Sequence, residues 1–305
     1  MRKRGWWIWK YRVEIMRILT TILVLLFFSA NISAQWKSYY PERKLSKKNQ
    51  EKVDTEKNKK QFESHYFNGI KAKSLEDYDE ALNYFSKCIK IDEKSSAAFY
   101  ESAIINTEKG NYEKAIEQIK VATKLDPENR WYLLLYAEIL FIKQDFNNAA
   151  IKYKQLIVLE PSNEELYFKL SEIYIYANDI RRAISVYDSL EKKKGFDKNV
   201  SMQKQKLYRK LNDIKGAINE LNIILKNTPN DVEALERLSE LYLLNDEKEK
   251  AFDLFKKLST IDPNNGRIHL TLAEHYREDG NNEKSYEELK LAFESTKLNI
   301  DTKIR

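Results

Sequence analysis

An alanine returns in this 305-residue chain at intervals of 34 residues, with no insertion or deletion between copies. The series is Ala81, Ala115, Ala149, Ala183, Ala217, Ala251 and, in the last copy, Ser285. An aromatic or aliphatic residue stands four positions later in every copy. A small residue stands twelve positions earlier in every copy except the fifth, which has Gln205. Self-similarity at a constant period of this length is the signature of stacked structural repeats, so the register restricts the chain to a repeat architecture.

Each copy has the pattern of two helices joined by a polar turn. Pairs such as Gly110-Asn111 and Asn178-Asp179 supply the turn. Proline closes four copies because it cannot continue a helix interior; these are Pro127, Pro161, Pro229 and Pro263. We expect the small residue and the alanine to lie where two helices cross closely, with the larger apolar residue filling the space beside them.

On these residues, the segment 62–299 resembles the tetratricopeptide repeat family, whose W-x2-L-G-x2-Y…A-x3-F…P pattern it follows. The resemblance implies an all-α fold, a right-handed superhelical solenoid with a concave inner surface. The seven predicted repeats span 62–95, 96–129, 130–163, 164–197, 198–231, 232–265 and 266–299. Repeat five departs most from the pattern, because Ser201 and Gln205 stand where large and small apolar residues are usual. We expect looser packing or a change in curvature there.

The N-terminal segment 1–34 is predicted to be a signal peptide. From Met16, the alternative start, one arginine precedes an apolar run that ends at Phe28, and small residues lead to a cleavage site after Ala34. The run is too short to span a hydrocarbon core of about 30 Å. This predicts export, with a periplasmic or cell-envelope location. The alternative is an uncleaved inner-membrane anchor formed by residues 6–28, which would associate the chain with the membrane.

The segments flanking the repeats have simpler predictions. Residues 35–61 are rich in lysine and are predicted to be a basic, polar, solvated linker. Residues 300–305 are predicted to begin a further helix, with Asp301 as its N-cap. Because no helix remains to cover the last repeat, we expect the natural chain to continue.

Charge and cysteine content argue against several functions. The net charge of +6 comes from the first 61 residues, and the repeats carry a slight acidic excess. Nucleic-acid binding needs clustered positive charge, so nucleic acid is not a predicted partner. The single cysteine, Cys88, has apolar neighbours at helical spacing and is predicted to be a buried hydrophobe.

No motif in the sequence predicts catalysis. His269 and His275 are six residues apart and point about 240° from each other on a helix, which spoils them as a metal pair. Phosphate-binding loops, nucleophile elbows and paired-histidine motifs are absent from the sequence. We predict a non-catalytic chain without cofactor, metal or small-molecule substrate.

The family resemblance points to a binding surface on the first helix of each repeat. In the first four repeats many of the inner positions are aromatic or aliphatic, and these residues predict a partner-binding groove. The candidates are Tyr66, Tyr100, Ile104, Trp131, Leu134, Phe141, Phe168, Ile175 and Tyr176. Repeats five to seven place charged residues at the same positions. They are Lys206, Arg209, Lys210, Glu236, Glu240, Glu274 and Arg277. The alternative for each ring is that it packs on adjacent helices.

Two functions remain open at the level of sequence. The first is a protein–protein interaction scaffold or adaptor exported to the bacterial envelope, which binds protein or peptide partners in the groove. The second is the exported sensor or adaptor half of a longer protein with a C-terminal membrane, output or catalytic domain. The partner, the pathway and the oligomeric state are not determined by the sequence.

Overall fold

The computed structural model describes residues 49–296 and, within them, the side chains of residues 55–296. This part of the chain forms fourteen helices and contains no strand. The helices are α1 (Asn49–Ser74), α2 (Tyr78–Ile91), α3 (Ser96–Glu108), α4 (Tyr112–Leu125), α5 (Arg130–Ile142), α6 (Phe146–Leu159), α7 (Glu164–Tyr176), α8 (Ile180–Lys194), α9 (Lys198–Lys210), α10 (Ile214–Asn227), α11 (Val232–Leu244), α12 (Lys248–Ile261), α13 (Gly266–Glu278) and α14 (Asn282–Glu294).

The helices pack in chain order. Within a repeat the first helix contacts the second, as α3 contacts α4, and the second contacts the first helix of the next repeat, as α4 contacts α5. Such nearest-neighbour packing defines a solenoid. The predicted all-α solenoid of helix-turn-helix repeats is therefore confirmed.

Helix α1 begins earlier than the repeat pattern indicates. Residues 49–61, predicted to be part of a linker, are helical. Lysine, glutamate and glutamine are good helix formers, this stretch has no glycine or proline, and Glu56 faces Lys60 one turn later at 3.9 Å. The prediction of a solvated linker did not specify a helix, and the side chains of residues 55–61 are exposed.

The recurring small residues lie at closely packed helix crossings. All six alanines of the series are fully buried, and Ser285 is 6% exposed. A Cβ atom added to Gly69 would lie 2.9 Å from the Phe85 ring. The hydroxyl of Ser285 donates to the carbonyl of Ala273 across the crossing at 2.8 Å. Larger side chains would force the two helices apart.

The turn inside each repeat places one residue in the left-handed region. These residues are Glu76, Gly110, Gln144, Asn178, Asn212, Asp246 and Gly280, with φ between 56° and 75°. The next residue caps the second helix in most repeats, as Asp145 does by accepting the N–H of Asn148 at 3.3 Å. The backbone thus repeats the 34-residue period of the sequence.

Repeat five contains a buried polar cluster. Lys204 is 5% exposed, and its ammonium lies 2.8, 2.7 and 2.9 Å from carboxylate oxygens of Asp188, Glu191 and Glu220. Gln205 is fully buried, and its amide has no hydrogen-bond partner among the described residues. Ser201 and Gln205, the two residues that depart from the repeat pattern, thus lie where polar side chains connect α8, α9 and α10.

Several sequence predictions fall outside the described residues. These are the signal peptide at 1–34, the first part of the linker, and the helix start at 300–305. Between residues 49 and 296, no helix is both long enough and apolar enough to cross a membrane.

Candidate protein-interaction surface

The nine candidate residues lie on α1, α3, α5 and α7, the first helices of repeats one to four. Their side chains differ widely in exposure. Trp131 is 56% exposed and Tyr176 is 59% exposed, whereas the other seven are half-buried. The aromatic groove read from the sequence is therefore interrupted, because most of its members also contact the core.

Two tyrosines at the start of the solenoid are held by neighbouring rings. Tyr66 stacks on Phe62 and meets the edge of Phe85, with ring centroids 6.0 and 5.6 Å away. Tyr100 lies 4.7 Å from the ring of Tyr132. Burial, with the nearby Glu101 carboxylate, raises the pKa of both tyrosine hydroxyls. They remain uncharged and serve the packing of repeats one to three.

Other candidates also contribute to packing. Leu134, Phe168 and Ile175 contact the hydrophobic core of repeats three to five. The Phe168 ring meets Tyr187, on the second helix of its own repeat, edge-on at 5.4 Å. Ile104 is half-buried on α3. These side chains present only part of their surface to a partner.

Phe141 and Tyr176 are the two candidates that the structure brings together in a partly exposed cluster. Their ring centroids are 5.1 Å apart in an edge-to-face arrangement, and the Phe146 ring lies 5.6 Å from Phe141 and 6.2 Å from Tyr176. Ile142, next to Phe141, is 47% exposed. We call Phe141, Ile142, Phe146 and Tyr176 the aromatic patch.

Half of the aromatic patch was missed by sequence reasoning. Ile142 holds the inner position that Tyr176 holds one repeat later, but it was not selected. Phe146 is the first residue of a second helix, where only first helices were searched. Its equivalents Tyr78 and Tyr112 are also aromatic, and this recurrence is the signal that could have pointed to it.

Trp131 forms a separate exposed site at the beginning of α5. The guanidinium of Arg130 lies 4.8 Å from its ring centroid and also pairs with Glu160 at 3.1 Å. Asn129 caps the helix by accepting the N–H of Trp131 at 3.1 Å. The indole is thus fixed at its base and open to a partner on its other side.

The candidate charges of repeats five to seven are mostly exposed. On α9 these are Lys206, Arg209 and Lys210; on α11, Glu240 is exposed and Glu236 half-exposed. A further pair, Glu274 and Arg277 on α13, lie 3.7 Å apart.

The two histidines of repeat seven, His269 and His275, contribute to the packing of that repeat. Nδ1 of His269 lies 2.6 Å from Glu288, and Nε2 lies 2.9 Å from the carbonyl oxygen of Pro263. The ring of His275 lies 3.7 Å from that of Phe252. Among the side chains of residues 55–296, no three His, Cys, Asp or Glu are placed to hold a metal ion.

Cys88 is fully buried, and this burial raises the pKa of its thiol to about 12.

Comparison with known proteins agrees with the repeat register. Tetratricopeptide repeat family models match residues 73–139 and 206–266. A search of curated protein sequences finds no match.

Three solved structures are given as examples of matches to this chain, and the first of them shows the likeness of fold. One is a chain of the Naa15/Naa10 complex bound to HypK-THB, with 17% identity and a TM-score of 0.57, covering 73% of this chain and 35% of that one. This chain thus spans about a third of that relative's length. A tetratricopeptide repeat protein from Parabacteroides merdae has 14% identity, a TM-score of 0.45, and coverage of 80% and 96%. PilF from Pseudomonas aeruginosa has 15% identity, a TM-score of 0.40, and coverage of 72% and 99%.

The register, the repeated turn geometry and the family matches agree. The chain contains tetratricopeptide repeats, which the family models match over residues 73–139 and 206–266, and these repeats support a scaffold for protein–protein interaction.

Proposed function

We propose that this chain is a non-catalytic adaptor of the bacterial cell envelope and that it binds protein or peptide partners through its first helices. The observation that carries the binding proposal is the aromatic patch. It joins two consecutive repeats, and Ile142 and Tyr176 within it are 47% and 59% exposed. Trp131 adds a second exposed ring at the other end of α5.

Burial of these side chains by a partner is energetically favourable. Removing apolar surface from water is worth roughly 25 cal/mol per Å², and aromatic residues dominate the binding energy of many interfaces. Phe141 and Phe146 are half-buried, so their orientations are fixed before a partner arrives. A pre-ordered surface loses less side-chain entropy on binding.

Export is supported by the sequence alone. The apolar run that ends at Phe28 and the small residues up to Ala34 predict cleavage before Gln35. Intact-mass measurement of the protein purified from its native envelope tests this. A mass that retains residues 1–34 contradicts cleavage and favours the anchored alternative.

The binding proposal is tested by crosslinking envelope extracts to the purified chain. The variant Trp131→Ala/Tyr176→Ala removes the two most exposed candidates. The matched control is Ile151→Ala/Val158→Ala, which removes two side chains of α6 that are 50% and 79% exposed. Circular dichroism checks that both variants remain helical.

We expect the first variant to lose specific crosslinked partners and the control to retain them. Equal recovery of every partner by wild type and both variants would falsify binding through these rings.

A further inference from the structure

Three basic side chains lie on one face of α9, one repeat beyond the aromatic patch. Lys206, Arg209 and Lys210 are all exposed, and their spacing of three and four residues puts them on the same side of the helix. We call them the basic patch. Among the described residues, none of the three takes part in an ion pair, whereas Lys198 on the same helix pairs with Asp231 at 2.5 Å.

Repeat symmetry places the two patches side by side. Ile142, Tyr176 and Lys210 occupy equivalent positions in successive repeats. Phe141 and Tyr176, which belong to adjacent repeats, are already in contact. On this repeat symmetry alone, one interhelical spacing of about 10 Å separates the basic patch from the aromatic patch.

An open groove lies between the start of α8 and the end of α9. Its lining residues are Arg181, Ile184, Tyr208, Leu211 and Asp213. The Asp213 carboxylate is engaged as the cap of α10, where it accepts the N–H of Gly216 at 2.9 Å. Arg181 is exposed and adds a fourth cation to this region.

We propose that the aromatic patch and the basic patch together bind one extended segment of a partner protein, in which a large apolar side chain lies near a short run of acidic side chains. An extended chain advances about 3.3 Å per residue, so a separation of about 10 Å corresponds to about three residues. The inference rests on the proposed function, because it names the chemistry of the partner at the same surface.

The charges around the basic patch favour a short acidic run over a nucleic acid. The next first helix, α11, presents Glu236 and the exposed Glu240. These carboxylates would repel a polyanion that continued past the basic patch, whereas a protein segment can place uncharged residues there. A single-stranded nucleic acid, which also combines stacking with negative charge, is therefore treated as an outcome of the test.

The test measures fluorescence anisotropy of labelled synthetic peptides with the full chain. One peptide carries a tryptophan followed three residues later by three consecutive glutamates, and a second has the reverse order. Control peptides replace the tryptophan with alanine or the glutamates with glutamine. A labelled oligothymidylate serves as the nucleic-acid arm.

Two protein variants carry the comparison. Lys206→Gln/Arg209→Gln/Lys210→Gln removes the basic patch and keeps good helix formers. Its control removes the same charge from exposed positions of α4, a second helix; the changes are Lys114→Gln, Lys120→Gln and Lys124→Gln.

We expect one of the two acidic peptides to bind saturably and the basic-patch variant to weaken that binding about tenfold, as three exposed charge contacts imply. We expect the α4 control to leave peptide binding unchanged. We expect Tyr176→Ala to weaken it. Raising the salt from about 50 to about 300 mM is expected to weaken it as well.

Three results overturn the inference. They are an absence of saturable binding in either order, equal binding by the basic-patch variant and wild type, and tighter binding of the oligonucleotide. Each leaves the adaptor proposal standing if the Trp131→Ala/Tyr176→Ala variant still loses its crosslinked partners.

Discussion

The ammonium nitrogen of Lys204 lies 2.9 Å from Oε1 of Glu220, and the two side chains are only 6% and 3% exposed. This pair joins α9 to α10 within repeat five. Burial lowers the pKa of Lys204, but hydrogen bonds to Asp188, Glu191 and Glu220 outweigh that effect and raise it. Burial raises the pKa of Glu220, and Lys204 offsets this only in part. The contacts of Lys204 therefore offset the cost of its burial more completely than the contacts of Glu220 do.

This asymmetry predicts unequal costs of substitution. Lys204→Met leaves the buried carboxylate of Glu220 and the partly buried carboxylate of Glu191 without their cation, and it is expected to lower the free energy of unfolding by about 3 kcal/mol. Glu220→Gln leaves Lys204 with two carboxylates and is expected to cost less than about 1 kcal/mol. Urea unfolding of both variants checks this. Equal losses in the free energy of unfolding would show that Lys204 and Glu220 contribute equally to stability.

Gln205 carries the second prediction. Its amide is buried where six other repeats have Gly, Ala or Ser, and no described residue hydrogen-bonds to it. Gln205→Met keeps the volume and removes the unpaired polar atoms, so we expect a gain of about 1 kcal/mol in the free energy of unfolding. Gln205→Ala is the control, because it also opens a cavity and should lose that gain. Destabilisation by Gln205→Met would reveal an ordered water or another partner at the amide.

These two residues show where sequence reasoning succeeds and where it stops. The register predicted the helix pairs and crossings because the crossings depend on residues for which little else fits, such as Gly69 against Phe85. It predicted the turns because polar or glycine residues recur there in every repeat. It identified repeat five as unusual from Gln205. It did not predict the buried ion cluster, because Lys204 has the spacing of an ordinary exposed lysine, and its burial depends on carboxylates from α8 and α10.

The candidate surface was predicted in outline only. Tyr176 is 59% exposed, whereas Phe168, on the same helix, turns toward Tyr187 in its own repeat. Which of two aromatic residues on one helix faces solvent depends on the size of the side chains across the crossing. Phe146 shows the same limit, since it reaches the surface from a second helix.

The turn residues predict a pair of opposite effects. Gln144 and Gly110 are equivalent and have φ of 60° and 74°. A non-glycine residue in this region costs roughly 1 kcal/mol, so Gln144→Gly should raise the free energy of unfolding by about 0.5 to 1 kcal/mol. Gly110→Gln should lower it by a similar amount.

A Cβ added to Gly110 would meet no atom within 4 Å, so a steric clash with neighbouring residues is not the cause. Thermal and urea unfolding measure both changes. If both substitutions destabilise, the side chain of Gln144 makes a contact that outweighs its backbone strain.

Asp231 gives a prediction about pH. Its carboxylate caps α11 by accepting the N–H of Ala234 at 3.0 Å and lies 2.5 Å from the Lys198 ammonium. Burial acts to raise the pKa of Asp231, but these two contacts outweigh it and hold the pKa below its ordinary value. The folded state therefore binds this proton less readily than the unfolded state. The stabilisation is complete above the ordinary pKa of about 3.9 and is lost as pH falls through the folded value.

Asp231→Asn should accordingly lower the free energy of unfolding by about 1 kcal/mol at neutral pH, a value reduced for partial exposure of Lys198. The difference from wild type should shrink below about pH 3. Asp253→Asn removes a carboxylate that is 72% exposed beside Lys256 and serves as the control with little expected effect. A loss for Asp231→Asn that is the same at both pH values would show that the effect does not come from the charge of Asp231.

The last prediction uses the equivalence of repeats six and seven. In repeat seven, Nδ1 of His269 lies 2.6 Å from the carboxylate of Glu288. The equivalent residues of repeat six are Leu235 and Leu254, which pack in one hydrophobic cluster. His269→Leu leaves the carboxylate unpaired and should lower the free energy of unfolding by about 2 kcal/mol. Adding Glu288→Leu recreates the apolar pair of repeat six and should restore most of it. Urea unfolding of both single variants and the double variant completes the cycle. Additive losses would mean that the contact between His269 and Glu288 does not hold the last repeat together.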